Sequence, residues 1–490
     1  MTIRLKKQRL REFFEITKVA KRFDRTSNTF KINIAYKTAT CITPRTLAVA
    51  EAFGLGVDKT RTQILYDNIQ LHIGPRDIVY ITGESGSGKS ILLKHLEKLL
   101  APDTFNIRQI HVECTKPLID TVGKTVEEGL ELLSRVGLND AFLFIRKYSQ
   151  LSDGQKYRYR IAKLIEADRQ YWIMDEFCST LDRDTAKIVA YNVQKLARQE
   201  GKTVLAATTH TDLFEDLKPS VHIHKRFGKE VKVQYYPNKL NATCSLTRQM
   251  HIQTGTMEDY RQLAQFHYRE TGGIPPPRKI FTLKRRKELV GVIVYSYPPI
   301  VCFGRNKAFP ERLTTQELNE KLSIISRVVL HPKYRTIGLG AKLVKETLPL
   351  ADTPYVEAVA VMARYNPFFE KAEMQKIAEQ TPSQSCVDAL EKLHTLGFNP
   401  ILLASTKQNI RQLKKMSYQE LEKCRDILAT VQSLRLRRSI VPKPFVSAEA
   451  YKSALREAKI EKIAQALRVL SILTQAKVYL LWRKSDKQEN

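Results

Sequence analysis

The sequence predicts an α/β protein: two successive α/β domains, then a basic helical tail. Three observations carry that expectation. Apolar runs of strand length, DIVYITG, YWIMDEF and TVLAATTH, alternate with helical patterns such as ILLKHLEKLL, as in a parallel sheet covered on both faces. From about His251 the alternation restarts, with KIFTLKR, ELVGVIVYSY, SIISRVVL and YVEAVAVMA as strands. From about residue 400 the pattern is helical, and over residues 401–490 Lys and Arg outnumber Asp and Glu by 19 to 8.

Taken in order, residues 1–45 read as a basic N-terminal extension, helical in part over 1–30, before the strand KINIAYKTAT. Residues 46–232 read as the first α/β domain, a connector follows, and 248–400 read as the second, with 401–490 as the tail. A chain of 490 residues has room for these domains, and 43% hydrophobic residues suffice for packed cores.

Lys and Arg number 81 against 51 Asp and Glu, a net charge of +30. That excess favours a polyanionic partner, with nucleic acid foremost; the alternative is a lysine-rich surface that serves solubility alone. Seven cysteines lie far apart with no CxxC pair, which argues against a disulfide framework or zinc site and for a reducing, cytoplasmic setting. The basic start MTIRLKKQRLREFF lacks a signal peptide's apolar segment. No stretch approaches the roughly 20 apolar residues of a membrane span.

Gly83-Glu84-Ser85-Gly86-Ser87-Gly88-Lys89-Ser90 satisfies G-x-x-x-x-G-K-[ST] between an apolar strand and a helix. Glycines let backbone N–H groups turn inward around phosphate, at a helix N-terminus that favours anions. Lys89 is expected to reach the β- and γ-phosphates, and to face solvent when the loop is empty. Ser90 is expected to hold Mg2+.

Four further stretches follow in order. They are Gln150-Leu151-Ser152-Asp153-Gly154-Gln155, Tyr171-Trp172-Ile173-Met174-Asp175-Glu176, Ser179-Thr180-Leu181-Asp182 and Thr208-Thr209-His210. With the phosphate loop they resemble the signature, Walker B strand, D-loop and switch histidine of ABC ATPases, over roughly residues 50–230. The resemblance implies that Asp175 binds Mg2+, that Glu176 polarises the attacking water and that His210 contacts the γ-phosphate. Ser152, Gly154, Gln155 and Asp182 would contact ATP across a homodimer that closes on ATP and opens after hydrolysis. Asp153 replaces the signature's first glycine. No convincing Q-loop glutamine is present, with Gln109 and Glu113 as weak stand-ins. Phe53, in AFGLG, is the residue proposed to stack on adenine, against ordinary packing as the alternative.

In the second half, Ile324–Pro332 followed by Tyr334-Arg335-Thr336-Ile337-Gly338-Leu339-Gly340 resembles motif A of GNAT N-acyltransferases, and Asn366-Pro367-Phe368-Phe369-Glu370-Lys371 resembles a later helix of that family. The resemblance implies acetyl-CoA as cofactor. Val328, Val329 and Leu330 would bond the pantetheine arm through their backbone, and Arg335, Thr336, Gly338, Leu339 and Gly340 would cradle the pyrophosphate, with Asn366 nearby. Phe369 stands where many GNAT enzymes place a Tyr acid. Tyr365 is the nearest hydroxyl to serve as acid and Glu357 the proposed base, against a merely packed role for each. Phe266-His267-Tyr268-Arg269 and Pro298-Pro299 faintly resemble phage acyltransferases that modify DNA bases. Over roughly residues 45–400 the arrangement resembles ABC-type ATPases fused to an acetyltransferase domain, and the basic C-terminal helices lie outside that resemblance. A nucleic-acid-binding ATPase whose GNAT domain modifies nucleobases or is degenerate is the alternative.

Overall fold

The computed structural model describes residues 14–24, 26–38, 42–55, 62–138, 140–267, 274–361, 367–380, 382–400, 402–443, 445–474 and 477–484. The chain divides into two compact units. Unit 1 holds Met1–Gly272, Ile280–Ile293 and Val328–Leu343; unit 2 holds Gly273–Lys279, Val294–Arg327 and Val344–Asn490. A single cut between 232 and 248 is therefore not how the chain divides, because two later segments pack with the first.

Unit 1 begins with an antiparallel sheet of β1 (Phe14–Asp24), β2 (Thr29–Thr38) and β3 (Thr62–His72) in the order β1-β2-β3. The partial helix expected over residues 1–30 is corrected at 14–24. That segment pairs with β2 from Phe14↔Thr38 to Asp24↔Thr29, and sheet pairing overrides the helical tendency of KVAKR. Residues 1–13 lie outside the described residues.

The main sheet of unit 1 uses β4 (Ile78–Gly83), β5 (Thr104–Asn106), β6 (Tyr171–Met174), β7 (Thr203–Ala207), β8 (Val221–Lys225) and β9 (Val231–Tyr235). Their order is β5-β6-β7-β4-β8-β9, parallel up to β8 and antiparallel at β9. Every residue of β4 and β7 is buried, which explains their unbroken apolar runs. Trp172, Ile173 and Met174 of β6 are fully buried. Each such side chain stabilises the fold by about 1.5–3 kcal/mol. Unit 1 also carries β10 (Met250–Thr254), antiparallel to β11 (Pro277–Arg285) from Met250↔Arg285 to Thr254↔Phe281.

The chain passes between the units inside β11, β12 (Glu288–Ser296) and β13 (Leu322–Leu330). In unit 2, β13 is followed by β14 (Tyr355–Ala360), β15 (Gln375–Gln380) and β16 (Lys477–Arg483), in the order β13-β14-β16-β15. β13 and β14 run parallel and pair at Leu322↔Tyr355, Ser323↔Val356 and Ile324↔Glu357. β16 is antiparallel to both β14 and β15.

The expectation of a helical tail over 401–490 is corrected in two respects. Helices from Gln384–Thr395 to Ile460–Leu473 share one apolar core that includes Leu393, Leu413, Leu428, Leu436, Tyr451 and Leu467, so they form a packed bundle. Residues 477–483 are a strand, because KVYLLWR joins a sheet and buries Val478, Tyr479, Leu480 and Leu481. Among the described residues no helix is long and apolar enough to cross a membrane.

Candidate active site

β4, β7 and β6 are neighbours, and their C-terminal ends carry the phosphate loop, the segment Thr208–His210 and the Asp175-Glu176 pair. A parallel sheet places ligands at that edge. The loop runs from Gly83 to Gly88, and Lys89 opens the helix Lys89–Leu100. Gly83, Gly86 and Gly88 all have positive φ. At Gly83 a β-carbon would lie 1.9 Å from the Lys225 carbonyl oxygen, so only glycine fits. Tyr66, buried on β3, donates its hydroxyl hydrogen to the Gly88 carbonyl at 2.9 Å and pins the loop's far end.

Lys89 corrects the expectation of a solvent-facing side chain. It is only 8% exposed, and its ammonium donates to the carbonyls of Gly83 at 2.8 Å and Glu84 at 2.6 Å. Burial lowers its pKa, opposed by the charges of Asp175 and Glu84. The cation is thus held ready at the loop's mouth.

Ser90 Oγ donates to Asp175 Oδ1 at 2.9 Å. A hydroxyl and a carboxylate converging in this way are the oxygen donors Mg2+ takes when it also keeps water and phosphate ligands. Ser87 Oγ, buried in the loop, has no hydrogen-bond partner in the protein, as a donor meant for a phosphate oxygen would. The pair of residues expected to hold Mg2+ therefore fits it.

Glu176 follows directly, with φ at +51° and its backbone N–H donating to Asp175 Oδ1 at 3.0 Å. A non-glycine residue in that region is a local strain that aims its carboxylate outward, where 69% of the side chain is exposed. His210 is half-buried; its carbonyl accepts from the Tyr80 hydroxyl and its N–H donates to Thr208 Oγ1 at 3.3 Å.

Ser152 caps the helix Asp153–Glu166. Its Oγ accepts from Gln155 N at 3.4 Å, while Gln155 Oε1 accepts from Ser152 N at 3.0 Å. A β-carbon on Gly154 would lie 3.1 Å from Thr185, so the signature helix closely approaches the helix Arg183–Gln199 that follows the D-loop. Asp182 caps that second helix through Thr185 N at 3.2 Å.

Sequence reasoning missed two residues here. Arg108, in the turn Ile107–Gln109 just after β5, forms ion pairs with both Asp175 and Glu176. Of the weak stand-ins, Gln109 is exposed and Glu113 half-buried. Phe227, 61% exposed, lies 3.9 Å from where a β-carbon on Gly86 would be. Phe53 ends the helix Pro44–Ala52 and is 76% exposed. An adjacent arginine and a glycine-flanked aromatic were the only available signals.

The turn after β13 lies in unit 1, together with the phosphate-loop sheet. Arg158, buried on the signature helix, donates to the Lys333 carbonyl at 2.9 Å. Lys333 Nζ reaches Asp182 at 2.9 Å and Asp184 at 3.3 Å. Asn192 Nδ2 donates to Thr336 Oγ1 at 2.6 Å. Thr336 has φ at +77°, a strained value for a β-branched residue. Arg335 departs from its expected role: its buried guanidinium donates to the carbonyls of Leu330 and Phe266 and faces Asp140. Gly338 is exposed with φ at +85°, and a β-carbon there would meet nothing within 4 Å. Val329 is buried, and Leu339 opens the helix Leu339–Thr347 that includes Gly340.

In unit 2, Glu357 departs from the base role. It is 0% exposed, Arg305 binds both carboxylate oxygens, and the Tyr479 hydroxyl donates to Oε2 at 3.0 Å. A carboxylate so occupied holds the fold rather than accepting a substrate proton. Tyr365 and Asn366 lie outside the described residues.

Comparison with known proteins bears on this geometry. Residues 66–179 match the family model described as ABC transporter. This part of the chain is an ABC ATPase domain. Methionine import ATP-binding protein MetN of Streptomyces coelicolor is 28% identical over 205 residues, 33% of this chain and 57% of that protein. Alpha-hemolysin translocation ATP-binding protein HlyB of Escherichia coli O157:H7 is 26% identical over 182 residues, 29% of this chain and 25% of that protein. The chain thus spans a quarter to about half the length of these two curated relatives. The cytochrome c biogenesis ATP-binding export protein CcmA of Brucella abortus is 28% identical over 31% of this chain and 80% of its own. A solved dimeric ATP-binding cassette bound to ADP and Pi aligns over 36% of this chain and 92% of its own, with 21% identity and a TM-score of 0.30.

Proposed function

We propose that this chain is an ABC-type ATP hydrolase that closes as a homodimer on ATP and couples turnover to acyl transfer from acetyl-CoA to an amine. The ATPase half rests on one arrangement, the phosphate loop, Asp175, Glu176 and His210 gathered at adjoining strand ends. Backbone N–H groups of the loop and Lys89 hold phosphate. Ser90 and Asp175 hold Mg2+, which when bound neutralises phosphate charge. Glu176 orients water in line with the γ-phosphate.

What supports the acyltransferase half is the limited pairing of β13 with β14. β13 and β14 are parallel but pair only as far as Ile324↔Glu357, although β13 runs on to Leu330 and β14 to Ala360. Beyond Ile324, β13 has no ladder partner in β14, and its backbone there can bond an extended ligand arm. In this reading the exposed, open Gly338 and the start of the helix at Leu339 receive the pyrophosphate. In this reading the bundle, from Gln384 to Leu473, is an insertion between β15 and β16. Calorimetric titration with CoA, followed by mass spectrometry of protein and nucleic acid after incubation with ATP and acetyl-CoA, tests it. Absence of CoA binding removes the acyltransferase half and leaves the ATPase half standing.

A second reading, in which nucleic acid is scaffold or substrate, rests on the net charge of +30 and on Arg435 and Arg438, exposed on the bundle. Affinity for DNA or RNA would fall log-linearly with salt, and neutralising Arg435, Arg437 and Arg438 would flatten that slope. Salt-insensitive binding would sink this reading.

A further inference from the structure

The D-loop carboxylate Asp182 is held from two directions. Thr185 N and Oγ1 bind its two oxygens at 3.2 and 2.5 Å, which fixes it as the cap of Arg183–Gln199. Lys333, distant in sequence, adds an ammonium at 2.9 Å. The same lysine offers its carbonyl to Arg158 of the signature helix at 2.9 Å, and the Pro332 carbonyl lies 3.5 Å from that guanidinium. Signature helix and D-loop, two of the four ABC elements outside the phosphate loop, therefore converge on one lysine.

We propose that Lys333 is a positioning residue for ATP hydrolysis, acting through Asp182. The inference rests on the ATP-hydrolase half of the proposed function and is independent of the acyl-transfer half.

The physical case has three parts. A cap bonded only to Thr185 can pivot about χ1, whereas a third contact from a separate element removes that freedom. Lys333 is tied at both ends, its ammonium to Asp182 and Asp184 and its carbonyl to Arg158, so it sets the spacing between D-loop and signature helix. Its segment is itself held, since Asn192, on the helix Asp182 caps, bonds the strained Thr336 three residues on. A shift of the D-loop on ATP-driven closure would pull on Lys333 and on the turn that carries it. Nothing in the nucleotide-binding loop touches Lys333, so losing it should spare ATP binding and slow the step that needs an aligned D-loop.

Steady-state ATPase kinetics of the full chain, measured well below its melting temperature, test this. Lys333→Ala should lower kcat roughly tenfold with KM for ATP within about twofold, as when a remote contact sets catalytic geometry. Lys333→Arg, which keeps charge and reach, should recover most of kcat. In an Asp182→Asn background, Lys333→Ala should cost little more, because its partner is already uncharged. An unchanged kcat in Lys333→Ala, a defect that Lys333→Arg does not rescue, or fully additive losses would overturn the proposal. A wild-type chain that hydrolyses no ATP would overturn the ATPase reading along with it.

Discussion

Arg108 lies 3.2 Å from Asp175 and 2.5 Å from Glu176, so a single guanidinium spans the carboxylate proposed to hold Mg2+ and the one proposed to polarise water. It is anchored beside β5, where Asn106 caps the turn by accepting from Arg108 N at 3.0 Å. Arginine and Mg2+ compete for the negative charge of Asp175. Arg108→Ala should therefore lower the Mg2+ concentration for half-maximal nucleotide binding, roughly threefold to tenfold for a half-exposed charge-assisted pair. Titration of Mg2+ against a fluorescent ATP analogue gives the answer. An identical Mg2+ dependence would mean that Arg108 does not compete.

Glu176→Gln should keep nucleotide binding and reduce hydrolysis by about a hundredfold or more, the scale of losing a positioned base. ATP should then accumulate in the closed form. Sedimentation velocity with and without ATP is the check, and a variant that stays monomeric while ATP is bound contradicts dimer closure.

Gly83→Ala should destabilise the protein by about 2–4 kcal/mol, since its β-carbon meets rigid backbone rather than a movable side chain. Gly338→Ala, with open space around it, should cost only about 1 kcal/mol for its positive φ. If the turn takes CoA, Gly338→Ala and Gly340→Val should nonetheless abolish CoA binding and leave ATP binding intact. Thermal melts paired with calorimetry separate the effects. Equal CoA affinity in the variants would remove this turn as the pyrophosphate site.

Asp182 supplies a pH signature. Burial pushes its pKa up, but hydrogen bonds from Thr185 and Lys333 outweigh that and hold it at about 2, against an ordinary 3.8. A carboxyl lowered on folding stabilises above its unfolded value and loses that contribution as pH falls through its folded one. Denaturant midpoints should drop between about pH 4 and pH 2, and less steeply in Asp182→Asn. Parallel curves for the two proteins would show that Asp182 is not held in its ionised form.

The nucleotide site was legible because its chemistry is local. Gly83 to Ser90 are contiguous, and Asp175-Glu176 end an apolar run that only a buried strand explains. What could not be read depends on distant partners. Lys89 gave no hint of folding back onto its own loop. Glu357 looked available as a base because its partners Arg305 and Tyr479 lie 52 and 122 positions away. Arg335 resembled a phosphate ligand by spacing, yet Asp140 and the carbonyls of Leu330 and Phe266 claim it. KVYLLWR did carry a strand signal, but the basic helices before it masked the change of pattern.

The place of β16 between β14 and β15 imposes an order on folding. β14 and β15 have no direct pairing partner in each other, so the far side of the unit 2 sheet stays open until residues 477–483 arrive. Before then, the ribosome has already extruded the whole helical bundle. Its contacts are short in sequence and form quickly, whereas the strand insertion waits on a long loop closure. A bundle that folds first brings positions 384 and 474 into one compact body and shortens the effective loop. The basic helices would then act as an internal chaperone, delivering the strand that seals two otherwise exposed edges against aggregation.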